Sequence, residues 1–394
     1  MKTFNQPIVV AFLVVVILLS LPYLLQDRKF KIYSDEELRE VALRRGMLPV
    51  PKTYEELLKV VNNPQNPMSV KKIALGKELY FDSILSRNKD ISCVTCHMFK
   101  KNDKNVLLDT LLSDNDRTNC VACHLGDQSG TDRLSTAVGH NGRENPFHLN
   151  TPTILNSSLA KFLTWDGEVK SVEEEVGISI QASFEMNMTP KDVEQRLKEN
   201  HNYVTKFNDA FKDELESGKE AVSFKNTQKA IGTYVRTLLT RGSYDRFLEG
   251  DNDAINDEAK RGLANFINFG CKGCHTGMSV GGQVIKKFPL KDFISIDNLG
   301  LNFPFILTDK SFPFENIGGF FGQENTQNFR VPILRNVTKT SPYFHNGAVA
   351  KIREAVDIMA KHQAGLNLTD TQIDEIVAFL KTLEGDIVDY STDK

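Results

Sequence analysis

Apolar positions along the chain fall into three regimes. From Ile8 to Leu25 they are almost continuous, broken only by Ser20 and Pro22, and the run is close to the roughly 20 residues that span a bilayer. Over most of the remainder they recur at helical spacing. Asn256 to Phe269 sets Ala259, Leu263, Phe266 and Ile267 on one face, which predicts a helix. Near the end, Thr369 with Gln372 forms a capping box ahead of the stripe Ile373, Ile376, Val377, Leu380 and Leu383, and Gly385 suits the stop. Tyr54 to Val61 predicts a shorter helix between Pro49, Pro51, Pro64 and Pro67. In the third regime, Thr276 to Asn328, periodicity gives way to Gly, Pro and Phe, which predicts a long irregular wrap.

The continuous run is either a signal peptide or an uncleaved anchor. A cleavable signal has a shorter apolar core and small residues at its end, whereas Leu18 and Pro22 flank the best site here, after Ser20. The anchor is the better reading. Flanking charges leave orientation open, since Lys2 precedes the span and Arg28, Lys29 and Lys31 follow it.

A chain of 394 residues with 40% apolar and 25% charged residues has room for two cores. The expected organisation is an anchor over 1–30, a charged and proline-rich tether and strap over 31–70, and mainly helical domains over 71–240 and 241–394. A formal charge of -3 and a pI near 6.3 carry no basic excess for nucleic acid.

All six cysteines fall into one pattern, used three times: Cys93-Val-Thr-Cys96-His97, Cys120-Val-Ala-Cys123-His124 and Cys271-Lys-Gly-Cys274-His275. Two thiols one helical turn apart can add to the two vinyl groups of a haem, and the next histidine then ligates its iron. Disulfides or zinc would not require a histidine after every second cysteine. The motifs therefore imply three covalently bound haem c groups. Because c-type attachment belongs to the exported side, they also place the chain on the periplasmic side of a bacterial inner membrane, held by the N-terminal helix.

The first two motifs lie in a repeat. Lys77 to His97 and Lys104 to His124, offset by 27 residues, agree at nine of 21 positions, including Asp82/Asp109, Leu85/Leu112 and Ser86/Ser113. This points to tandem duplication of one haem-binding module.

The blocks LGKELYFDSILS (Leu75 to Ser86), NTPTILN (Asn150 to Asn156), Trp165-Asp166-Gly167, QASFEM (Gln181 to Met186), PILRNV (Pro332 to Val337), SPYFHNG (Ser341 to Gly347) and AVDIM (Ala355 to Met359) resemble the bacterial dihaem cytochrome c peroxidases. They follow that family's order over about residues 71 to 385. The resemblance implies two cytochrome c-like haem domains with long irregular loops, and reduction of hydrogen peroxide to water. It implies an electron-transfer haem on Cys271 and Cys274, with His275 and Met359 as axial ligands. Glu185 matches the acid–base residue, His140 the resting distal ligand, Trp165 the residue between the haems, and Arg335 a haem-propionate partner. Asn150, with the carbonyls of Thr340 and Pro342, matches a calcium site. Family members often form homodimers.

The 16 residues from His124 to His140 resemble the family's spacing from proximal to distal histidine. That spacing assigns the peroxidatic haem to Cys120, Cys123 and His124, and leaves the Cys93, Cys96 and His97 haem as the addition. The combination is similar to trihaem membrane-anchored peroxidases that draw electrons from quinol; a small cytochrome c is the other expected donor. Three departures stand out: the family's arginine, glutamine and proline are Glu168, Glu175 and Ser179 here, and extra carboxylates would raise the pKa of Glu185. Two further functional classes stand beside peroxidase. One is a dihaem oxidase acting on a protein or an organic substrate, although the protein-modifying relatives carry tyrosine where this chain has Met359. The other is a multihaem electron carrier.

Overall fold

Ser34 and Glu37 close a capping box that starts α1 (Asp35–Arg44), and Thr53 with Glu56 does the same for α2 (Tyr54–Val61). The computed structural model describes residues 30–99, 129–215, 219–296 and 301–390. The chain divides into units 1–33 and 34–394, and of the first only residues 30–33 are described. The apolar run Ile8 to Leu25 lies outside the described residues, among which no helix is long and apolar enough to cross a membrane.

The stretch after the expected anchor is more than a tether. Leu38, Ala42, Met47, Val50 and Leu57 are buried, and the strap is tied to distant sequence: Arg39 Nε donates to Phe247 O at 2.8 Å, Lys260 pairs with Asp35 at 2.8 Å, and Tyr390 Oη donates to Pro51 O at 2.9 Å. Apolar residues at helical spacing give this charged segment a face to bury.

α3 (Val70–Phe81) leads to the single turn α4 (Cys93–Cys96), followed by α5 (Val172–Gln181), α6 (Pro190–Lys198), α7 (His201–Phe211) and α8 (Phe224–Val235). Leu75, Leu79, Tyr80, Ile180, Val193, Phe207 and Ile231 share one core. The backbones of α3 and α8 touch where Gly76 lies; a Cβ there would sit 1.9 Å from Ala230 O. Glycine is what permits the crossing.

The remainder repeats that device. β1 (Thr240–Gly242), α9 (Ser243–Leu248) and α10 (Asp257–Asn268) precede the third motif; β2 (Ile285–Lys287), β3 (Lys291–Ile296), β4 (Leu301–Ile306) and β5 (Asn328–Arg330) follow it, and α11 (Ile352–Met359), α12 (Asp370–Thr382) and β6 (Gly385–Ile387) complete the chain. A Cβ on Gly262 of α10 would lie 1.8 Å from Glu375 O of α12. The expected helices over 54–61, 256–269 and 369–383 appear with their caps.

The segment 276–328 departs from expectation. It contains an antiparallel ribbon, β3 with β4, in register from Lys291↔Ile306 to Ile296↔Leu301, and β2 pairs with β5. Phe and Ile favour strands; frequent Gly and Pro around them masked the signal. β1 pairs with β6 through Thr240↔Ile387 and so returns the C-terminus to the middle of the chain. The fold is mainly helical, with short two-stranded ribbons.

Candidate haem sites

The turn Cys93–Cys96 sits on the α3 core, with Val94 buried. Tyr80 Oη donates to His97 O at 3.0 Å, and His97 Nδ1 lies 3.3 Å from Gly130 O. Burial holds the His97 imidazole down, at about 4, and pushes the Cys93 thiol up to about 12. Such thiols stay neutral until they are covalently capped. Gly130 N donates to Met98 O at 2.7 Å, which ties Gly130 to the residue that follows His97.

From Gly130 the chain runs on to His140. The His140 N–H donates to Glu185 O at 2.8 Å, Asn141 N–H to Asp90 Oδ2 at 2.6 Å, and the Cys96 thiol lies 3.7 Å from Val138 O. Arg143 Nη1 donates to Ser183 O at 3.3 Å. A Cβ on Gly139 would lie 2.0 Å from Phe184 O. The loop is thus stitched between the CVTCH turn and the FEM segment. Among the described residues, both ring nitrogens of His140 are buried without a hydrogen-bond partner, as an iron-binding imidazole requires of one of them.

Glu185 lies in the same place. Burial raises its pKa, while a hydrogen bond donated by the Ser179 hydroxyl pulls it down. Its charge also helps to raise the Cys93 and Cys96 thiols, after burial. Glu175, one turn before Ser179 on α5, is pushed up to about 7 by burial and then by the charge of Glu185. Its Oε2 is buried without a partner.

The spacing argument paired His140 with Cys120, Cys123 and His124. Those three residues lie outside the described residues, and among the described ones the motif that meets His140 and Glu185 is Cys93, Cys96 and His97. His97 and His140 are 43 positions apart in sequence, and the Met98–Gly130 hydrogen bond lies between them.

Trp165 lies between the two halves of the sequence. Its Nε1 donates to Asn150 O at 2.8 Å, its ring meets that of His345 edge-on with centroids 6.5 Å apart, and the Arg330 guanidinium stands 5.8 Å above it. Arg330 also donates from Nε to Thr164 O at 2.8 Å. Sequence reasoning missed Arg330, which belongs to none of the motif blocks. It missed Gly139 too, although that residue immediately precedes His140.

At the third motif, α10 ends at Asn268 and Gly270 adopts φ +90 before the Cys271–Gly273 turn. His275 N donates to Cys271 O at 3.0 Å; the ring is buried, its Nδ1 has no partner, and burial holds it at about 4. Met359 closes α11 and is directly followed by a π-helical turn, Ala360–Ala364; such turns recur at functional sites.

Two expectations change in detail. Arg335 was assigned to a haem propionate, but its guanidinium forms a bidentate pair with Asp245 at 3.0 and 2.9 Å and donates from Nε to Met278 O at 2.7 Å. A protein carboxylate therefore already balances its charge. For calcium, Asn150 N donates to His345 O at 2.8 Å and its Nδ2 to Leu134 O at 2.6 Å, bringing Asn150 to the segment that contains Thr340 and Pro342. Among the described residues, no group of three or more His, Cys, Asp or Glu side chains is placed to hold a metal.

Two paired-thiol turns, each followed by a histidine (His97 half-buried, His275 buried) with a helical crossing behind it, define a c-type haem protein of mainly helical fold. The family model for di-haem cytochrome c peroxidase matches residues 70–106 and 103–253, two stretches that meet between CVTCH and CVACH. The cytochrome c551 peroxidase of Pseudomonas aeruginosa is 35% identical over 345 residues, covering 86% of this chain and 84% of that protein. The methylamine utilization protein MauG of Methylorubrum extorquens is 28% identical, covering 82% and 80%. A solved MauG-like protein associated with microbial copper homeostasis superposes with a TM-score of 0.63 at 22% identity, over 82% of this chain and 93% of that one. The chain belongs to the di-haem cytochrome c peroxidase family and is a peroxidase-type oxidoreductase.

Proposed function

We propose that this protein reduces hydrogen peroxide to water at the haem site built on Cys93, Cys96 and His97. The observation that carries the assignment is the His140 loop, hydrogen-bonded to Glu185 and lying against Cys96. Haem c, when bound, supplies an iron for peroxide and for electron transfer. The chain supplies the rest. His97 and His140 are the two imidazoles that would hold that iron, and the His140 loop is the element that would have to yield for peroxide to enter. Glu185, half-buried and with its pKa raised, takes a proton from one peroxide oxygen and returns it to the other, so that water can leave. Cys271, Cys274, His275 and Met359 hold the electron-transfer haem; a thioether ligand raises potential, which suits a relay.

The CVACH module of Cys120, Cys123 and His124 then becomes the addition to a dihaem plan. Its insertion beside His97 suits it to receive electrons from quinol or a small cytochrome c, on a chain anchored by its N-terminal helix on the periplasmic side of the inner membrane. Calcium, bound by Asn150 and the Thr340 and Pro342 carbonyls, and a homodimer complete the reading. Isothermal titration of metal-stripped protein tests the first; absence of a binding heat removes it.

Peroxide turnover with each donor, by wild type and Glu185→Gln, tests the proposal. The variant is expected to lose about 10²–10⁴-fold in rate. Full activity in Glu185→Gln would remove this residue from the mechanism, and a wild type inert to peroxide would leave the electron-carrier reading.

A further inference from the structure

Helix α5 carries two polar residues beside Glu185. Glu175 and Ser179 are four positions apart on that helix and so share a face. Ser179 lies close enough to Glu185 to lower its pKa, while Glu175 Oε2 is sealed from solvent and has no hydrogen-bond partner among the described residues. A carboxylate buried without a partner is costly unless it holds a proton or exchanges one. The groups acting on it are Glu185 from the FEM segment, Arg330 from β5, Asp166 beside Trp165, and Glu174, its exposed neighbour on α5. Three are acids, and the one cation, Arg330, is occupied by the Thr164 carbonyl and the Trp165 ring.

Reduction of peroxide consumes two protons from outside: H2O2 + 2 e⁻ + 2 H⁺ gives 2 H2O. Glu185 moves one proton between the two oxygens, which adds none to the total. Both electrons come from the donor, and the O–O bond is the one that breaks. Two further protons must cross the wall that buries Glu185, and α5 is part of that wall.

We propose that Glu175 is the second proton-carrying carboxylate of the peroxide site, receiving protons on the exposed side of α5 and passing them by way of Ser179 to Glu185. Serine can relay, since its hydroxyl both donates and accepts. Each transfer gives Glu185 the proton that Glu175 loses, and Glu175 is then reprotonated from water. The inference rests on the peroxidase reading for its chemistry, but the carboxyl pair itself does not.

Two measurements on the haem-loaded protein test it. In infrared difference spectra, wild type is expected to show a protonated-carboxyl C=O band that titrates near neutral pH and is absent from Glu175→Gln. In turnover, Glu175→Gln is expected to lower kcat by roughly tenfold or more with KM unchanged, to lose the alkaline limb of the pH profile, and to be partly rescued by Glu175→Asp. A Glu175→Gln variant with the wild-type band and the wild-type pH profile would overturn the proposal, as would a band that persists while only KM moves. If wild type turns over no peroxide, the peroxidase reading fails by itself, and the infrared titration still decides whether Glu175 exchanges a proton.

Discussion

At the scale of single residues the peroxide site depends on two small ones. Gly139 lets the His140 loop lie on the FEM backbone, where a Cβ would meet Phe184 O at 2.0 Å and Glu185 Cα at 2.7 Å. Backbone atoms cannot swing aside. Gly139→Ala is therefore expected to destabilise the protein by about 1–3 kcal/mol in thermal denaturation and to displace His140, seen as altered absorption of the resting haem. Ser179 acts on the charge of Glu185 rather than on packing. Its hydroxyl stabilises the ionised carboxylate, so Ser179→Ala is expected to raise the Glu185 pKa further and shift that limb of the peroxide-rate profile to higher pH. An unmoved limb would mean that Ser179 does not touch the reacting acid.

Elements show how the site is held. One of the ties between the strap and the second half ends on a buried charge pair: Asp245 of α9 accepts from Arg335 and from Val50 N, the latter at 2.9 Å. Asp245→Asn leaves the Arg335 charge buried and uncompensated, which is expected to cost about 3–5 kcal/mol in chemical denaturation. Asp245→Asn with Arg335→Met should recover part of that loss. Helix α5 carries a pH dependence of its own. The folded pKa of Glu175 is raised to about 7, so from the ordinary carboxylate range up to about 7 the unfolded chain has released a proton that the folded chain keeps. Stability therefore falls as pH rises through that window, and Glu175→Gln should flatten the slope.

For the whole molecule, the Met98–Gly130 hydrogen bond separates a dihaem plan from an added module. Replacing residues 100–128 with a short turn is expected to leave a folded protein with two haems instead of three, counted by pyridine haemochrome absorption and by mass. That protein should still reduce peroxide with an artificial reductant and lose turnover with quinol. Retained quinol turnover would move electron entry elsewhere in the chain.

The two described Cys-x-x-Cys-His turns and the helical character were legible in the sequence, because covalent attachment demands a fixed local spacing and helix burial a fixed period. The same holds for the cap at Thr369 and for the helix before Cys271. The contact of Cys96 with Val138, 42 positions away, was not legible, because it depends on how the His140 loop packs and not on local spacing. Nor could local pattern give the partner of Arg335, 90 positions away, the cation above Trp165, or the seclusion of Glu175. Local chemistry is written in neighbours and periods. Burial, charge pairing and the choice of iron ligands depend on segments far apart in sequence, which only tertiary packing brings together.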